Sequence, residues 1–167
     1  LSLQALGISE DVDETETTYG GNALLKADFA SRRTGLPALG DDSGLEVAAL
    51  DGRPGIYTAR YAPSVPERWA KLLGELKDVP WERRTARFVC AIALSLPGRE
   101  PIIVEGECQG LIALEPKGQG GFGYDPLFYM PEFGCTMAEL DEAVKNRVSH
   151  RGRAVLKARE ALAQLID

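Results

Sequence analysis

Residues 86–96, Ala-Arg-Phe-Val-Cys-Ala-Ile-Ala-Leu-Ser-Leu, followed by Pro97-Gly98 and then by 101–114, decide the fold. Phe88, Cys90, Ile92, Leu94 and Leu96 alternate along the first run, so they share one face of an extended strand. Pro97-Gly98 turns the chain, and Ile102, Ile103, Val104 and Ile112 mark a second strand. The spacing predicts an antiparallel pair. Helical segments flank it on both sides. Asn22 to about Arg33 reads as a helix closed by Gly35 and Pro37. Ser64 and Pro66 open another, with Trp69, Leu72, Leu73 and Leu76 on one stripe. Thr136-Met137-Ala138-Glu139 is a capping box, expected to open a helix with Met137, Leu140 and Val144 on one face. Ser149 caps a last helix with a stripe of Val155, Ala158, Leu162, Leu165 and Ile166. Helices and strands intermix, so the class is α/β or α+β in one domain.

The whole chain, 167 residues with 44% hydrophobic and 26% charged, has the size and composition of one soluble domain. No stretch approaches the roughly 20 apolar residues of a membrane helix. Nineteen Lys and Arg against 25 Asp and Glu give a net charge of −6. That balance argues against nucleic acid as a partner, which needs a basic face. The three cysteines, Cys90, Cys108 and Cys135, lack metal-site or disulfide spacing. Buried free thiols are expected, in a reducing cytoplasm. The acidic run 10–16 reads as a solvated loop.

Three groups could carry chemistry. Leu36 to Gly40 reads as a buried strand that ends at Asp41-Asp42-Ser43-Gly44. Adjacent carboxylates repel unless a cation is near, and on a strand they point to opposite faces. A turn and a metal or acid–base site both fit this tetrapeptide. Gly118-Gln119-Gly120-Gly121-Phe122-Gly123 matches GxGxxG, but Pro126 forbids the helix that a dinucleotide loop requires. What is left is a glycine arm beside Phe122, Tyr124 and Asp125, suited to stacking on a base, or else an ordinary turn with buried aromatics. Lys145, His150 and Arg151 form a cationic group next to a helix start. No nucleophile triad is evident around the lone histidine. The set suits a metal-assisted reaction on a phosphorylated, base-containing small molecule.

These residues resemble the noncanonical purine nucleoside triphosphate pyrophosphatases, the inosine/xanthosine triphosphate pyrophosphatase family. The likeness runs through Thr18-Tyr19-Gly20-Gly21-Asn22-Ala23 with Lys26-Ala27, Leu36-Pro37-Ala38 into Asp41-Asp42-Ser43-Gly44-Leu45, and Pro54-Gly55-Ile56-Tyr57-Thr58-Ala59-Arg60-Tyr61. Gly120 to Pro126 and Lys145-Asn146-Arg147-Val148-Ser149-His150-Arg151-Gly152 complete it. The resemblance implies an elongated, two-lobed α/β domain over 1–167, built around a long curved mixed sheet, with the substrate in a cleft between the lobes. It implies hydrolysis of ITP, dITP and XTP to the monophosphate and pyrophosphate, with Mg²⁺, in a homodimer. Asp42 would be the general base and a metal ligand, with Ser43 contacting substrate. Phe122, Gly123, Tyr124 and Asp125 would hold the nucleotide, Lys145 would meet it, and His150 and Arg151 would read the 6-oxo purine. The family's opening strand and its Thr/Ser-x-Asn-x-x-Lys phosphate loop have no match here. Gly21 stands where the family usually has a metal-holding Glu, so Asp41 is expected to compensate. The alternative is nucleotide binding with reduced or lost turnover.

Overall fold

A computed structural model describes residues 1–10 and 12–164. The strands β1 (Ala38–Val47), β2 (Pro54–Gly55), β3 (Thr85–Ser95), β4 (Ile102–Ile112), β5 (Phe128–Met130) and β6 (Cys135–Thr136) form one sheet in the order β2-β1-β3-β4-β5-β6. Every pairing between these strands is antiparallel, including β1 with β3. The resemblance implies a mixed sheet; the α/β class holds, and the described strands contain no parallel neighbours. Among the described residues no helix is long and apolar enough to cross a membrane.

Helix α1 (Tyr19–Thr34) lies against β1 and β3, and α4 (His150–Ala163) lies against β4 and β3. This explains a difference in β3. Alternation predicted one buried face, yet Val89, Ala91 and Ala93 pack with Tyr19, Ala23 and Ala27 of α1. Cys90, Ile92 and Leu94 pack with Ala154 and Ala158 of α4. The run is apolar on both faces because both are covered. Cys90 and Cys108 are buried free thiols, as expected.

Two glycines set how closely the helices sit. A Cβ on Gly40 would come within 2.4 Å of the Ala23 carbonyl oxygen and 2.7 Å of the Ala27 nitrogen. A Cβ on Gly106 would come within 2.3 Å of the His150 carbonyl oxygen. Glycine therefore lets α1 rest directly on β1, and α4 on β4. These contacts carry Lys26 and His150 to the sheet surface.

The largest apolar cluster gathers at the opposite end of the sheet. It includes Leu45, Val47, Phe88, Ile112, Leu127, Phe128 and Met137, with Leu72 of α2 (Val65–Glu75) and Leu76 at that helix's C-cap. The chain thus has two lobes, a sheet sandwiched by α1 and α4 and a second body under α2. Ser64 and Glu67 cap α2 reciprocally, with Pro66 in its first turn.

Several boundaries differ from the sequence reading. Helix α1 starts at Tyr19 because Thr18 caps it, its side chain accepting from the Gly21 N–H. Gly35 ends it in the left-handed conformation, φ 70°. The Thr136–Glu139 capping box closes only a single 3₁₀ turn, Met137–Glu139. Asp141 then caps a separate helix, α3 (Glu142–Val148), so Met137, Leu140 and Val144 do not share one helical face. In α4 the sheet-facing residues are Ala154 and Ala158, and Val155 is half exposed. Close approach over Gly106 admits small side chains, which shifts the buried stripe. Leu165 and Ile166 lie outside the described residues.

Candidate active site

Strand β1 does not end at the acidic pair. It continues to Val47, with Asp42 opposite Ala91 and Ser43 opposite Cys90 on β3. The two carboxylates therefore point to opposite faces. Gly44 keeps the strand going, because a Cβ there would meet the Gly55 carbonyl oxygen at 2.4 Å and the Tyr19 hydroxyl at 2.5 Å.

Asp42 faces α1. Its carboxylate accepts from Lys26 Nζ at 3.1 Å and from Asn22 Nδ2 at 3.4 Å. Asn22 and Lys26 lie four residues apart on α1, so they share a face. Lys26 Nζ also pairs with Glu14 at 2.6 Å and donates to the Asp41 carbonyl oxygen at 3.1 Å. Burial raises the Asp42 pKa above its ordinary value, and the Lys26 ammonium opposes part of that rise. The Lys26 pKa is raised as well: burial is the largest single influence and works against this, but Glu14 and Asp42 outweigh it together.

Glu14 departs from the reading of residues 10–16 as a solvated loop, which holds for the exposed Glu10, Asp13, Thr15 and Glu16. It bridges Lys26 and Arg60, the latter at 3.0 Å. The Glu16 N–H donates to Asn22 Oδ1 at 3.0 Å, which ties the acidic segment to the Asp42 network. The Glu16 side chain also covers Gly21, where a Cβ would meet Glu16 Cβ at 2.7 Å.

Asp41 is the second correction. It sits on the opposite face, where its carboxylate accepts from Arg151 Nη2 at 2.9 Å and Nε at 3.3 Å. Its carboxylate is held by Arg151, whereas that of Asp42 meets Lys26, and both acids line the same cavity. The second carboxylate converging on Lys26 Nζ is Glu14, and among the described residues no third acid, histidine or cysteine joins them. Asp42 lines the cavity, and Glu14 reaches it only through the shared Lys26 ammonium; the protein share of a Mg²⁺ site is commonly one or two carboxylates beside substrate phosphates.

Asp42, Ser43, Thr58, Phe122, Gly123, Tyr124, His150 and Arg151 line one cavity of about 310 Å³. Phe122 separates it from a second hollow, which Lys145 and Val155 help to line. The geometry brings Asp41, Asp42, the Phe122–Asp125 arm, His150 and Arg151 around one cavity, with Lys145 in the adjoining hollow. Ser43 Oγ and His150 Nδ1 are buried there without a hydrogen-bond partner among the described residues. Such atoms are costly unless a ligand or water meets them.

The arm is held by its own residues. Buried Asp125 accepts from the Phe122 N–H at 2.8 Å and from Lys145 Nζ at 2.5 Å. Buried Tyr124 donates its hydroxyl to the Thr58 carbonyl at 3.3 Å. Trp69 Nε1 donates to the Gly123 carbonyl at 2.8 Å. Asp125 and Tyr124 thus fix the arm, while the half-exposed Phe122 ring presents a stacking face. Lys145 Nζ and the Arg151 guanidinium lie 5.2 and 5.0 Å from its centroid.

His150 stacks on Phe88, with ring centroids 4.6 Å apart. Burial, then the charges of Arg151 and Lys145, lower its pKa to about 4. At neutral pH the imidazole is uncharged. The unfolded chain takes up that proton near pH 6.5, well before the folded one does. Stability attributable to His150 is therefore complete above pH 6.5, declines on acidification, and is gone below about 4. We expect thermal melts to lose on the order of 3 kcal/mol across that interval, and His150→Gln to flatten the slope. An equal slope in both proteins would assign the acid sensitivity to other groups.

Residues 1–161 match the Ham1 family. The chain is 53% identical over 159 residues to a dITP/XTP pyrophosphatase of Geobacillus kaustophilus, covering 93% of this chain and 78% of that one.

This chain belongs to the Ham1 family.

A dITP/XTP pyrophosphatase of Geobacter sulfurreducens is 52% identical over 165 residues, covering 97% of this chain and 83% of the relative. The solved Staphylococcus aureus Ham1 protein superposes with a TM-score of 0.92 at 40% identity, covering 98% of this chain and 86% of that one. The resemblance read from the motifs therefore holds. That reading did not single out Asn22 or Glu14 as site residues, and it met Lys26 only within a motif. The i, i+4 spacing of Asn22 and Lys26 was the available signal; Glu14 had none, being one acid among several.

Proposed function

We propose that this protein hydrolyses deaminated purine nucleoside triphosphates, dITP, ITP and XTP, to the monophosphate and pyrophosphate. It thereby clears these bases from the nucleotide pool. The observation that carries the reading is the single cleft shared by Asp42, the Phe122 ring and Arg151, in a chain about half identical to proteins named for this activity.

The chemistry follows from the residues. Asp42 takes a proton from water, and the water oxygen bonds to the α-phosphorus. The α–β bridging oxygen leaves with pyrophosphate. A buried carboxylate with a raised pKa is a stronger base than an exposed one. Lys26 orients Asp42 and offsets phosphate charge. Asp42 and Glu14 would hold Mg²⁺, which when bound supplies further charge neutralisation on the phosphates. Phe122 stacks on the base, and Arg151 donates to its 6-oxo group. An adenine amino group would leave those donors unpaired, which costs about 1–3 kcal/mol each.

The reading extends to a cytoplasmic homodimer that binds neither nucleic acid nor membrane. The three free thiols and the net charge of −6 support the compartment and the absence of nucleic acid. The test is pyrophosphate release from dITP, ITP, XTP, ATP and GTP, with Mg²⁺ and with EDTA. Turnover of the first three, lost in EDTA, is expected. Equal turnover of ATP would overturn the assignment, and undiminished turnover in EDTA would overturn the metal.

A further inference from the structure

The cations around the cleft are nearly all paired. Lys26 is shared between Glu14 and Asp42, Arg60 pairs with Glu14, Lys145 with Asp125, and Arg151 with Asp41. Arg68 of α2 is the exception among the described residues. It lines the same cavity as Lys26, Asp42 and Ser43, on the side contributed by the second lobe. Its only side-chain hydrogen bond among the described residues runs from Nε to the neutral Ala62 carbonyl, at 3.0 Å. Among the described residues no carboxylate pairs with its guanidinium, so both Nη groups are left to donate.

We propose that Arg68 is a substrate-binding residue that holds the triphosphate chain from the α2 side, opposite Lys26. The inference rests on the pyrophosphatase reading, which puts the triphosphate beside Asp42. A guanidinium offers two parallel donors to phosphate oxygens. The Nε bond to Ala62 fixes the plane of the group in advance, so little side-chain freedom is lost on binding. The other cleft cations must share with, or leave, a carboxylate to meet phosphate; Arg68 has none to leave. Its neighbour Trp69 anchors the glycine arm through Gly123. One turn of α2 thus positions the phosphate contact and the base-stacking arm together, which couples recognition at the two ends of the nucleotide.

The test compares wild type, R68Q and R68K. It measures pyrophosphate release from ITP, calorimetric binding of inorganic tripolyphosphate, and thermal melting. R68Q is expected to raise KM for ITP about tenfold, to change kcat less than about threefold, and to weaken tripolyphosphate about tenfold. R68K, keeping the charge but not the fork, should recover part of each loss. A wild type that turns over ITP beside an R68Q with KM and tripolyphosphate affinity within about twofold overturns the role of Arg68, whatever happens to melting, and leaves the pyrophosphatase reading standing. Should R68Q fail to fold, R68K decides alone: weaker tripolyphosphate supports the contact and unchanged affinity overturns it. A wild type that turns over no purine triphosphate overturns the reading itself, and the inference with it.

Discussion

Asp42→Asn is expected to lower kcat for ITP by about a thousandfold or more while ITP binding stays within a few-fold of wild type. A positioned general base contributes about 10²–10⁴, and the amide cannot accept the water proton. The substitution is nearly isosteric, and Lys26 keeps Glu14 as a partner at 2.6 Å, so the phosphate side of the cleft retains its cation. The pH profile adds an independent check. Asp42 must be ionised to act as base, so activity rises with pH through its titration. Burial puts that rise above the ordinary carboxylate range, and the Lys26 ammonium holds it down in part. Lys26→Met should therefore move the acid limb of kcat/KM to still higher pH, as well as weakening substrate. An Asp42→Asn enzyme with near wild-type kcat would remove the base from Asp42. An acid limb at the usual carboxylate position in wild type would show that burial does not govern it.

Motif order and spacing carried the family assignment, and alternation carried the β3–β4 pair. What pattern could not supply is which face each residue takes. Asp41 and Asp42 look equivalent as a dipeptide, yet the register with β3 sends one to Arg151 and the other to Lys26. The pairing of Asp41 with Arg151 spans 110 positions, so no local rule could find it. Glu14 was hidden for the opposite reason. It sits in an acidic run whose composition suggests solvent, and only the docking of that segment on Asn22 reveals its place. The Thr136 capping box was chemically correct but opened a 3₁₀ turn, because Asp141 caps a second start two residues after that turn ends at Glu139. Tyr124 and Asp125, expected to contact a nucleotide, line the cavity and also hold the arm through Thr58, Phe122 and Lys145, which the motif alone does not reveal.

Arg151→Ala is the substitution expected to cost most in selectivity. The guanidinium lies 5.0 Å from the Phe122 centroid and is oriented by the two hydrogen bonds it donates to Asp41. A base stacked on Phe122 would lie within reach of its donors. A 6-oxo purine accepts from them, whereas a 6-amino purine leaves them unpaired in a partly desolvated site. Sites built to hydrogen-bond a substrate group reject analogues lacking it far more strongly than shape alone allows. We expect kcat/KM for ITP to fall about 100-fold in Arg151→Ala and that for ATP to change little, so the preference drops by a similar factor. Melting should shift little, because the Asp41–Arg151 pair is substantially exposed and such pairs contribute about 0–1 kcal/mol. Asp41→Asn serves as the companion variant. It keeps the donors but loosens their orientation, so it should lose less selectivity than Arg151→Ala. If Arg151→Ala keeps the ITP preference, the 6-oxo group is read elsewhere. Lys145 is then the remaining cation on the Phe122 ring, held at 2.5 Å by Asp125, and Lys145→Met should show the selectivity loss instead.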